Sequence, residues 1–176
     1  METVELRTER LILRCPRADD AVAIAAACAD PQIQRFVPVP VPYTVDDARA
    51  YIDGAVSGWA ADTGYAFGVY LAATGDLVGS CQLSRVEPGV VELGYWTAPA
   101  ARRRGYTAEA ARRLCHWGFD TLGIHRIDWW AVVGNEGSRA VALSLGFEVE
   151  GLLRRRALLR GEPQDWWVGG LLERPL

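Results

Sequence analysis

The segment from residue 102 to residue 110 reads RRRGYTAEA and has the residue types of an anion-binding site. It follows the apolar run Val90–Trp96, which predicts a strand, and it opens a helical pattern. The first backbone N–H groups of a helix have no partner within the helix, and the helix dipole adds partial positive charge there. Arginines beside that point supply donors that stay charged near neutral pH. The segment therefore predicts a site for an anion or a phosphate.

The composition limits the chemistry that this site can support. The chain has 176 residues and a net charge of −3, and all 19 of its basic residues are arginine. Without lysine, a Schiff-base or lysine-nucleophile mechanism is excluded. The negative net charge argues against a surface that binds nucleic acid, so we expect no nucleic-acid partner. The length predicts one domain, residues 1–176, with a substantial core.

The cysteines and the apolar pattern indicate the compartment. The four cysteines are scattered without paired spacing, so we expect no metal site and no disulfide framework, and we favour a reducing cytoplasm. No signal segment precedes Leu6, and no apolar stretch reaches the length of a membrane span, so no membrane association is expected. The four scattered cysteines are Cys15, Cys28, Cys81 and Cys115.

The elements that position the loop follow from the periodicity of apolar residues. Alternation and turn residues predict seven strands, at 10–14, 65–71, 77–84, 90–97, 126–133, 148–159 and 164–172. Helical spacing predicts four helices, at 17–29, 44–61, 107–122 and 136–145, and Thr44 with Asp47 forms a capping box for the second. Helices among mostly hairpin-connected strands predict an α+β fold on a mixed sheet.

Five motifs in this order resemble the GNAT superfamily of N-acetyltransferases, specifically its ribosomal-protein-alanine acetyltransferase (RimJ/RimL-like) branch, over nearly the whole chain. The motifs are TERLILR at 8–14, PYT at 42–44, ELGYW at 92–96, RRRGYT at 102–107, and NEGS at 135–138 with LGF at 145–147. The family's phosphate loop reads Gln/Arg-x-x-Gly-x-Gly/Ala. Arg102 and Gly105 match it, and Thr107 departs from it. We expect Thr107 to cap the helix or to place its hydroxyl on a phosphate.

The resemblance implies a GNAT-type, mostly antiparallel seven-stranded sheet that splays between its fourth and fifth strands, with acetyl-CoA in the gap. The pantetheine would run along the backbone of Trp96, Thr97 and Ala98 like an added strand. The pyrophosphate would lie on the loop and the start of the following helix. The cofactor-binding residues that the resemblance implies are therefore these three with Arg102, Arg103, Arg104, Gly105, Tyr106, Thr107, Asn135 and Ser138.

Two residues are candidates for catalysis. Glu92 is the candidate base, because a carboxylate buried between Val91 and Leu93 would have a raised pKa; the alternative is a strand glutamate that faces solvent. Ser138 matches the serine of the branch's Asn-x-x-Ser pattern and is the candidate acid or thiolate partner. Many GNAT proteins use a late tyrosine instead, and no tyrosine follows Tyr106. The alternative for Ser138 is a helix-start serine with Asn135 as the N-cap.

The remaining polar and aromatic residues have simpler expected roles. His116 lies outside the apolar stripe of its helix and His125 precedes a strand, so neither is placed as a strong base. Arg154–Arg156 alternates on a strand and protects a sheet edge. Trp59, Trp96, Trp166 and Trp167 could wall an acceptor cleft, although aromatic packing is the usual explanation. Asp46, Asp47 and Asp165 would suit a cationic acceptor, although capping explains the first two.

The sequence can be compared with three classes of function. The first is an acetyl-CoA-dependent N-acetyltransferase that moves an acetyl group, by direct attack in a ternary complex, to a protein N-terminus, a small amine or an amino-bearing antibiotic. The second is a non-catalytic CoA-binding sensor or scaffold. The third, a kinase-like enzyme, is disfavoured because the loop lacks the Gly-x-x-x-x-Gly-Lys pattern. A larger acyl donor and a homodimer are further options that the sequence leaves open.

Overall fold

The fold is one mixed sheet with helices on both faces. The computed structural model describes residues 1–173, in which eight strands follow the order β1-β2-β3-β4-β5-β6-β8-β7. Neighbouring strands are antiparallel except β5 and β6, which are parallel. The predicted α+β class is confirmed, and the structure adds one short strand to the seven expected. The strands are β1 (Leu6–Arg7), β2 (Leu11–Arg14), β3 (Gly64–Leu71), β4 (Leu77–Glu87), β5 (Val90–Thr97), β6 (Arg126–Val132), β7 (Glu148–Leu159) and β8 (Glu162–Leu172).

Five α-helices connect these strands in the described residues, one more than expected. The added helix has a clear local cause: Asp30 accepts hydrogen bonds from the N–H groups of Gln32 and Ile33, and Pro31 occupies the first helical position, where its missing N–H costs nothing. The predicted capping box is also present, since Thr44 and Asp47 exchange hydrogen bonds. The helices are α1 (Ala21–Cys28), α2 (Pro31–Phe36), α3 (Val45–Ala61), α4 (Tyr106–Leu122) and α5 (Glu136–Leu145).

Helix α4 packs on the sheet through the predicted stripe. Leu114, Cys115 and Leu122 are buried at helical spacing, and Val91 and Leu93 of β5 lie in the same core. Gly118 permits the close approach of the helix, because a Cβ there would lie 2.7 Å from Leu83 Cδ1. The odd-numbered residues of β5 therefore face α4.

The other face of the sheet near β5 is covered by α1 and α3. Ile24 of α1 and Ile52 of α3 belong to a second buried cluster, against which Trp96 of β5 packs. Because side chains alternate along a strand, Glu92 and Trp96 lie on this face, opposite Val91 and Leu93. The two faces of β5 thus present different residues to the two sides of the sheet.

The arginine run on β7 does not alternate as predicted. Between the pairs Leu153↔Trp166 and Ala157↔Gln164, β7 has two more residues than β8, so a bulge interrupts the register. Arg155 has a left-handed φ of 50°, and Arg154–Arg156 are all exposed. β7 is the last strand of the sheet, so the bulged, charged run does fit the expected protection of an edge.

All four cysteines are free, and three of them, Cys28, Cys81 and Cys115, are buried. Among residues 1–173, no helix combines the length and the apolar character needed to cross a bilayer. The same residues hold no group of three or more His, Cys, Asp or Glu side chains arranged to bind a metal ion.

Candidate active site

The central feature of the site is a gap between two parallel strands. β5 pairs with β6 only at Val90↔Arg126, Val91↔Ile127 and Glu92↔Asp128. Beyond Glu92, β5 has no strand partner on this side among the described residues. The predicted splay is therefore confirmed, and Glu92 lies at the point where the two strands part.

The backbone of β5 offers hydrogen bonds to this gap at alternate residues only. The Ala98 N–H donates to Val78 O at 2.9 Å, and the Ala98 carbonyl accepts from Ala101 N at 2.9 Å. Ala98 is thus already bonded within the fold, and alternation directs Trp96 to β4 as well. Tyr95 and Thr97 direct their N–H and C=O groups to the gap. The expectation that the backbone of Trp96, Thr97 and Ala98 faces the gap is therefore wrong for Trp96 and Ala98, whereas Tyr95 faces the gap together with Thr97.

The loop before α4 exposes a set of unbonded backbone donors. Gly105 is the N-cap residue with a φ of 78°, Arg103 has a φ of 60°, and no side chain caps the helix. The N–H groups of residues 103–108 have no acceptor within the part of the chain that the structure describes. Together with the helix dipole, these donors make the start of α4 a positive site that can hold an anion.

Thr107 does not cap the helix, contrary to one expectation. It lies inside α4, and its hydroxyl is hydrogen-bonded to the Thr97 hydroxyl. This bond joins the end of β5 to the first turn of the helix. A hydroxyl at the position where the family pattern has glycine or alanine is therefore explained by a contact within the fold.

The Arg102 side chain, which is expected to bind the cofactor, makes a contact within the fold. Its guanidinium makes an ion pair with Asp30, the residue that caps α2, and this bond lowers the pKa of Asp30. The side chain therefore holds α2 against the loop. Arg103 and Arg104 are exposed and make no ion pair with the described residues, so their guanidinium groups are free to meet an anion.

We expect Asp30→Asn to lower the free energy of unfolding by about 1–2 kcal/mol at pH 7, since a charged hydrogen-bonded partner of Arg102 is lost. The pKa of Asp30 is lower in the folded protein than its ordinary value of 3.8. The carboxylate therefore stabilises the folded state fully at pH values above 3.8, and this contribution is lost as the pH falls through the folded-state pKa. Urea unfolding of both proteins as a function of pH measures the difference. Asp46→Asn, which removes an exposed ion pair with Arg49, is the control. Equal losses for the two variants would contradict the prediction.

Arg10 and Glu109 support the loop, and the sequence analysis did not identify either as a site residue. Arg10 Nη1 donates to the Arg104 carbonyl at 3.2 Å, and Arg10 Nε donates to Glu109 Oε2 at 2.7 Å. The Arg10 guanidinium also lies 4.8 Å from the centroid of the Tyr106 ring. Burial opposes the charge of Glu109, but bonds from Thr8 and Arg10 outweigh it and lower the pKa. Arg10 lies in the TERLILR motif at 8–14, and this motif is the sequence signal that could have identified it.

We expect Gly105→Val to weaken CoA binding at least tenfold, because φ near 78° is unfavourable for any residue with a Cβ and the loop would shift. Calorimetry with CoA measures the change in a variant whose folding is checked by circular dichroism. Gly75→Val, at a φ of 80° in the hairpin between β3 and β4, is the matched control for backbone strain. A folded Gly105→Val protein with unchanged affinity would contradict the placement of the pyrophosphate.

Glu92 is half-buried, and its carboxylate makes no hydrogen bond or ion pair with the described residues. Burial raises the pKa of its carboxyl, and the charge of Asp128 on the neighbouring strand raises it further. Asp128 is itself held by Arg126, which also binds Glu150. A carboxylate without a partner and with a raised pKa can accept a proton from a nearby amine.

Ser138 lies in a hydrogen-bonded cluster on the other face of β5. Its Oγ accepts a bond from Trp129 Nε1 at 3.0 Å and donates one to Tyr95 Oη at 3.1 Å. The Tyr95 hydroxyl in turn donates to the Ser138 carbonyl at 2.9 Å. Burial raises the pKa of Tyr95 to about 12, so this hydroxyl keeps its proton at neutral pH. The Ser138 hydroxyl is therefore fixed by side chains, and the Ser138 N–H rather than its hydroxyl serves the helix cap.

Asn135 is the residue that caps α5. Its Oδ1 accepts from the Ser138 N–H at 3.2 Å, which is the capping role considered for it. His116 and His125 are both exposed. The backbone N–H of His125 donates to the Gly89 carbonyl at 3.0 Å. The histidines thus have the structural surroundings that the sequence predicted.

Most of the candidate cleft residues serve the fold. Trp59 is only 1% exposed and packs against Tyr65, Phe67 and Trp117, so it cannot line a cleft. The three predicted acidic residues are likewise engaged: Asp46 pairs with Arg49, Asp47 caps α3, and Asp165 accepts from the Arg155 N–H. Trp96 packs against α1 and α3, and Trp167 packs against the main core, whereas Trp166 is partly buried on β8.

The fold and the gap with its phosphate loop define the class of protein. The Acetyltransferase (GNAT) domain matches residues 10–148, so the chain belongs to the GNAT acetyltransferase family and is an N-acetyltransferase.

Individual relatives place the chain within the family. It is 31% identical to the uncharacterized N-acetyltransferase p20 of Bacillus licheniformis over 181 residues, which cover 99% of this chain and 98% of p20. It is 28% identical to the ribosomal-protein-serine acetyltransferase of Escherichia coli K12 over 122 residues, 68% of this chain and 67% of that protein. Among solved structures, microcin C7 self immunity acetyltransferase MccE in complex with acetyl-CoA and AMP has a TM-score of 0.86 and 18% identity, with 94% of each chain covered. The expected RimJ/RimL-like relationship is confirmed.

Proposed function

We propose that this chain is one N-acetyltransferase domain that transfers an acetyl group from acetyl-CoA directly to the α-amine of a peptide or protein in a ternary complex. The observation that carries the proposal is the place of Glu92, an unpaired carboxylate where β5 and β6 part. Ser138 lies across the strand from it, bonded to Tyr95. A donor can thus enter the gap from one face and an acceptor from the other.

The donor's binding follows from the unbonded backbone groups. The N–H groups of residues 103–108 would hold the pyrophosphate, helped by the free side chains of Arg103 and Arg104. The pantetheine would pair with the backbone of Tyr95 and Thr97, in the position of the missing strand. The solved complex of MccE with acetyl-CoA supports this choice of donor.

The acceptor class follows from how much base catalysis the site supplies. An α-amine, with a pKa of about 7.7–8.0, loses its proton at pH 7 for roughly 1 kcal/mol, whereas a lysine amine near 10.4 costs about 4.6 kcal/mol. Glu92 is a single carboxylate, and neither histidine is placed to add to it. This modest base strength fits an α-amine, and the similarity to a ribosomal-protein-serine acetyltransferase is consistent with that acceptor.

Each residue has one step in the transfer. Glu92 takes the proton of the ammonium, directly or through water, and leaves a lone pair on nitrogen. Attack on the thioester carbonyl forms the C–N bond, and the nitrogen then gives up its second proton to solvent. Collapse of the tetrahedral intermediate breaks the C–S bond. The Ser138 hydroxyl donates a hydrogen bond to the departing thiolate, which takes its final proton from solvent. The products are the amide and the free thiol of CoA.

Thiol release tests the proposal. Acetyl-CoA is incubated with the enzyme and with short N-terminal peptides, polyamines or aminoglycosides, and free thiol is measured against enzyme-free controls. We expect release that depends on both substrates and is fastest with a peptide α-amine. CoA binding by calorimetry without thiol release from any amine would contradict transfer and favour a non-catalytic CoA-binding module.

A further inference from the structure

Two polar groups bond to the Ser138 hydroxyl and leave it few orientations. Trp129 Nε1 donates to Oγ, so one lone pair of the oxygen is used. The Ser138 proton points to Tyr95 Oη. Trp129 is 1% exposed and Tyr95 is partly buried, so neither partner is replaced easily by water. The position of the hydroxyl is thus set by β5 and β6 rather than by α5 alone.

The Tyr95 hydroxyl is bonded in a way that permits the serine to change partners. The Tyr95 hydroxyl donates its own proton to the Ser138 carbonyl, so it remains hydrogen-bonded even when the serine proton is directed elsewhere. If Ser138 turns its proton towards a thiolate, Tyr95 keeps its donor bond and no buried donor is left unpaired. The turn costs one neutral hydrogen bond and gains a stronger one to an anion.

We infer that Tyr95 is a positioning residue for acetyl transfer: it fixes Ser138 Oγ beside the gap and holds the serine proton until the thiolate forms. The inference rests on the proposed function. Trp129 acts on the same oxygen from the other side, and its N–H makes the serine a better donor by polarising the O–H bond. The Tyr95 hydroxyl itself transfers no proton and needs no contact with the substrate.

A double-mutant cycle tests the inference. Tyr95→Phe keeps the ring and removes the hydroxyl that also holds the Ser138 carbonyl. We expect kcat to fall about tenfold because Ser138 is then less well positioned, with KM for acetyl-CoA changed less than about twofold. In a Ser138→Ala background the same change should have no effect on kcat, because the group that Tyr95 positions is gone. Trp129→Phe should behave in the same way and provides a second variant.

Tyr51→Phe is the matched control, because Tyr51 is also partly buried and hydrogen-bonded to a serine, Ser80, at 2.8 Å. It should lower the melting temperature as Tyr95→Phe does and leave kcat unchanged. If Tyr95→Phe leaves kcat unchanged, or lowers it by the same factor with and without Ser138, the inference is overturned while the proposed function stands. If the unmodified enzyme releases no thiol with any amine, the proposed function fails and the inference fails with it.

Discussion

Ser138→Ala should lower kcat by a factor of roughly 10²–10³, by analogy with the loss of one oxyanion-hole donor. The thiolate carries its charge mainly in the transition state, so its hydrogen bond acts on turnover more than on acetyl-CoA affinity. In the free protein the serine proton is bonded to Tyr95 Oη, and the N–H of Ser138, not the side chain, completes the cap with Asn135. The helix should therefore stay capped. Steady-state kinetics and thermal melting of the same preparation measure the two effects.

The control for this variant is Ser144→Ala on the same helix. Ser144 is exposed, and its Oγ donates to the Val141 carbonyl at 2.7 Å. Ser144→Ala therefore measures the effect of removing a helical serine hydroxyl that lies outside the candidate active site. A lowered melting temperature with unchanged kcat for Ser138→Ala would make Ser138 a structural residue. The thiolate would then have to be stabilised by water alone.

Glu92→Gln should lower kcat/KM at pH 7 by about 10²-fold, the lower end of the range for general-base catalysis. The reaction needs the carboxylate, whose pKa is raised by burial and then by Asp128, so activity of the unmodified enzyme is lost as pH falls through that raised pKa. The amide has no such titration. In the variant the rate should follow amine deprotonation alone and should recover as pH rises towards the amine pKa. Full pH–rate profiles of both proteins measure the difference.

Glu148→Gln is the control for charge, since Glu148 lies on the edge strand β7 and is exposed. Its profile should overlay that of the unmodified enzyme. If the Glu92→Gln profile does so as well, Glu92 is a solvent-facing strand residue and the proton of the amine passes to solvent.

Local patterns in the sequence were sufficient for most of the fold. α5 has the predicted bounds, Glu136–Leu145, because an N-cap and a glycine mark its two ends. The capping box at Thr44 marks the start of α3 in the same way. The two missed elements are short: β1 has two residues and α2 has six, too few for a period of apolar residues to emerge.

The sequence suggested which residues could form the site, but it predicted few of the contacts between them. Glu92, Gly105 and Ser138 are candidates that family motifs select, but the motifs do not predict which residues surround them. Arg102 binds a residue 72 positions away, and Ser138 binds one 43 positions away. Such pairings depend on how β5, β6 and the helices pack, and no local spacing encodes them. The same limit explains Ala98, whose N–H is taken by Val78 of β4.

A competition between two peptides tests the central claim most directly. One peptide has a free α-amine and no lysine; the other has the same sequence with a blocked α-amine and one lysine. Both are incubated at pH 7 with the enzyme and acetyl-CoA, and the products are assigned by tandem mass spectrometry. We expect enzyme-dependent acetylation of the α-amine, which Glu92→Gln and Ser138→Ala both suppress. Acetylation of the lysine alone, or α-amine acetylation that neither variant reduces, would contradict this expectation.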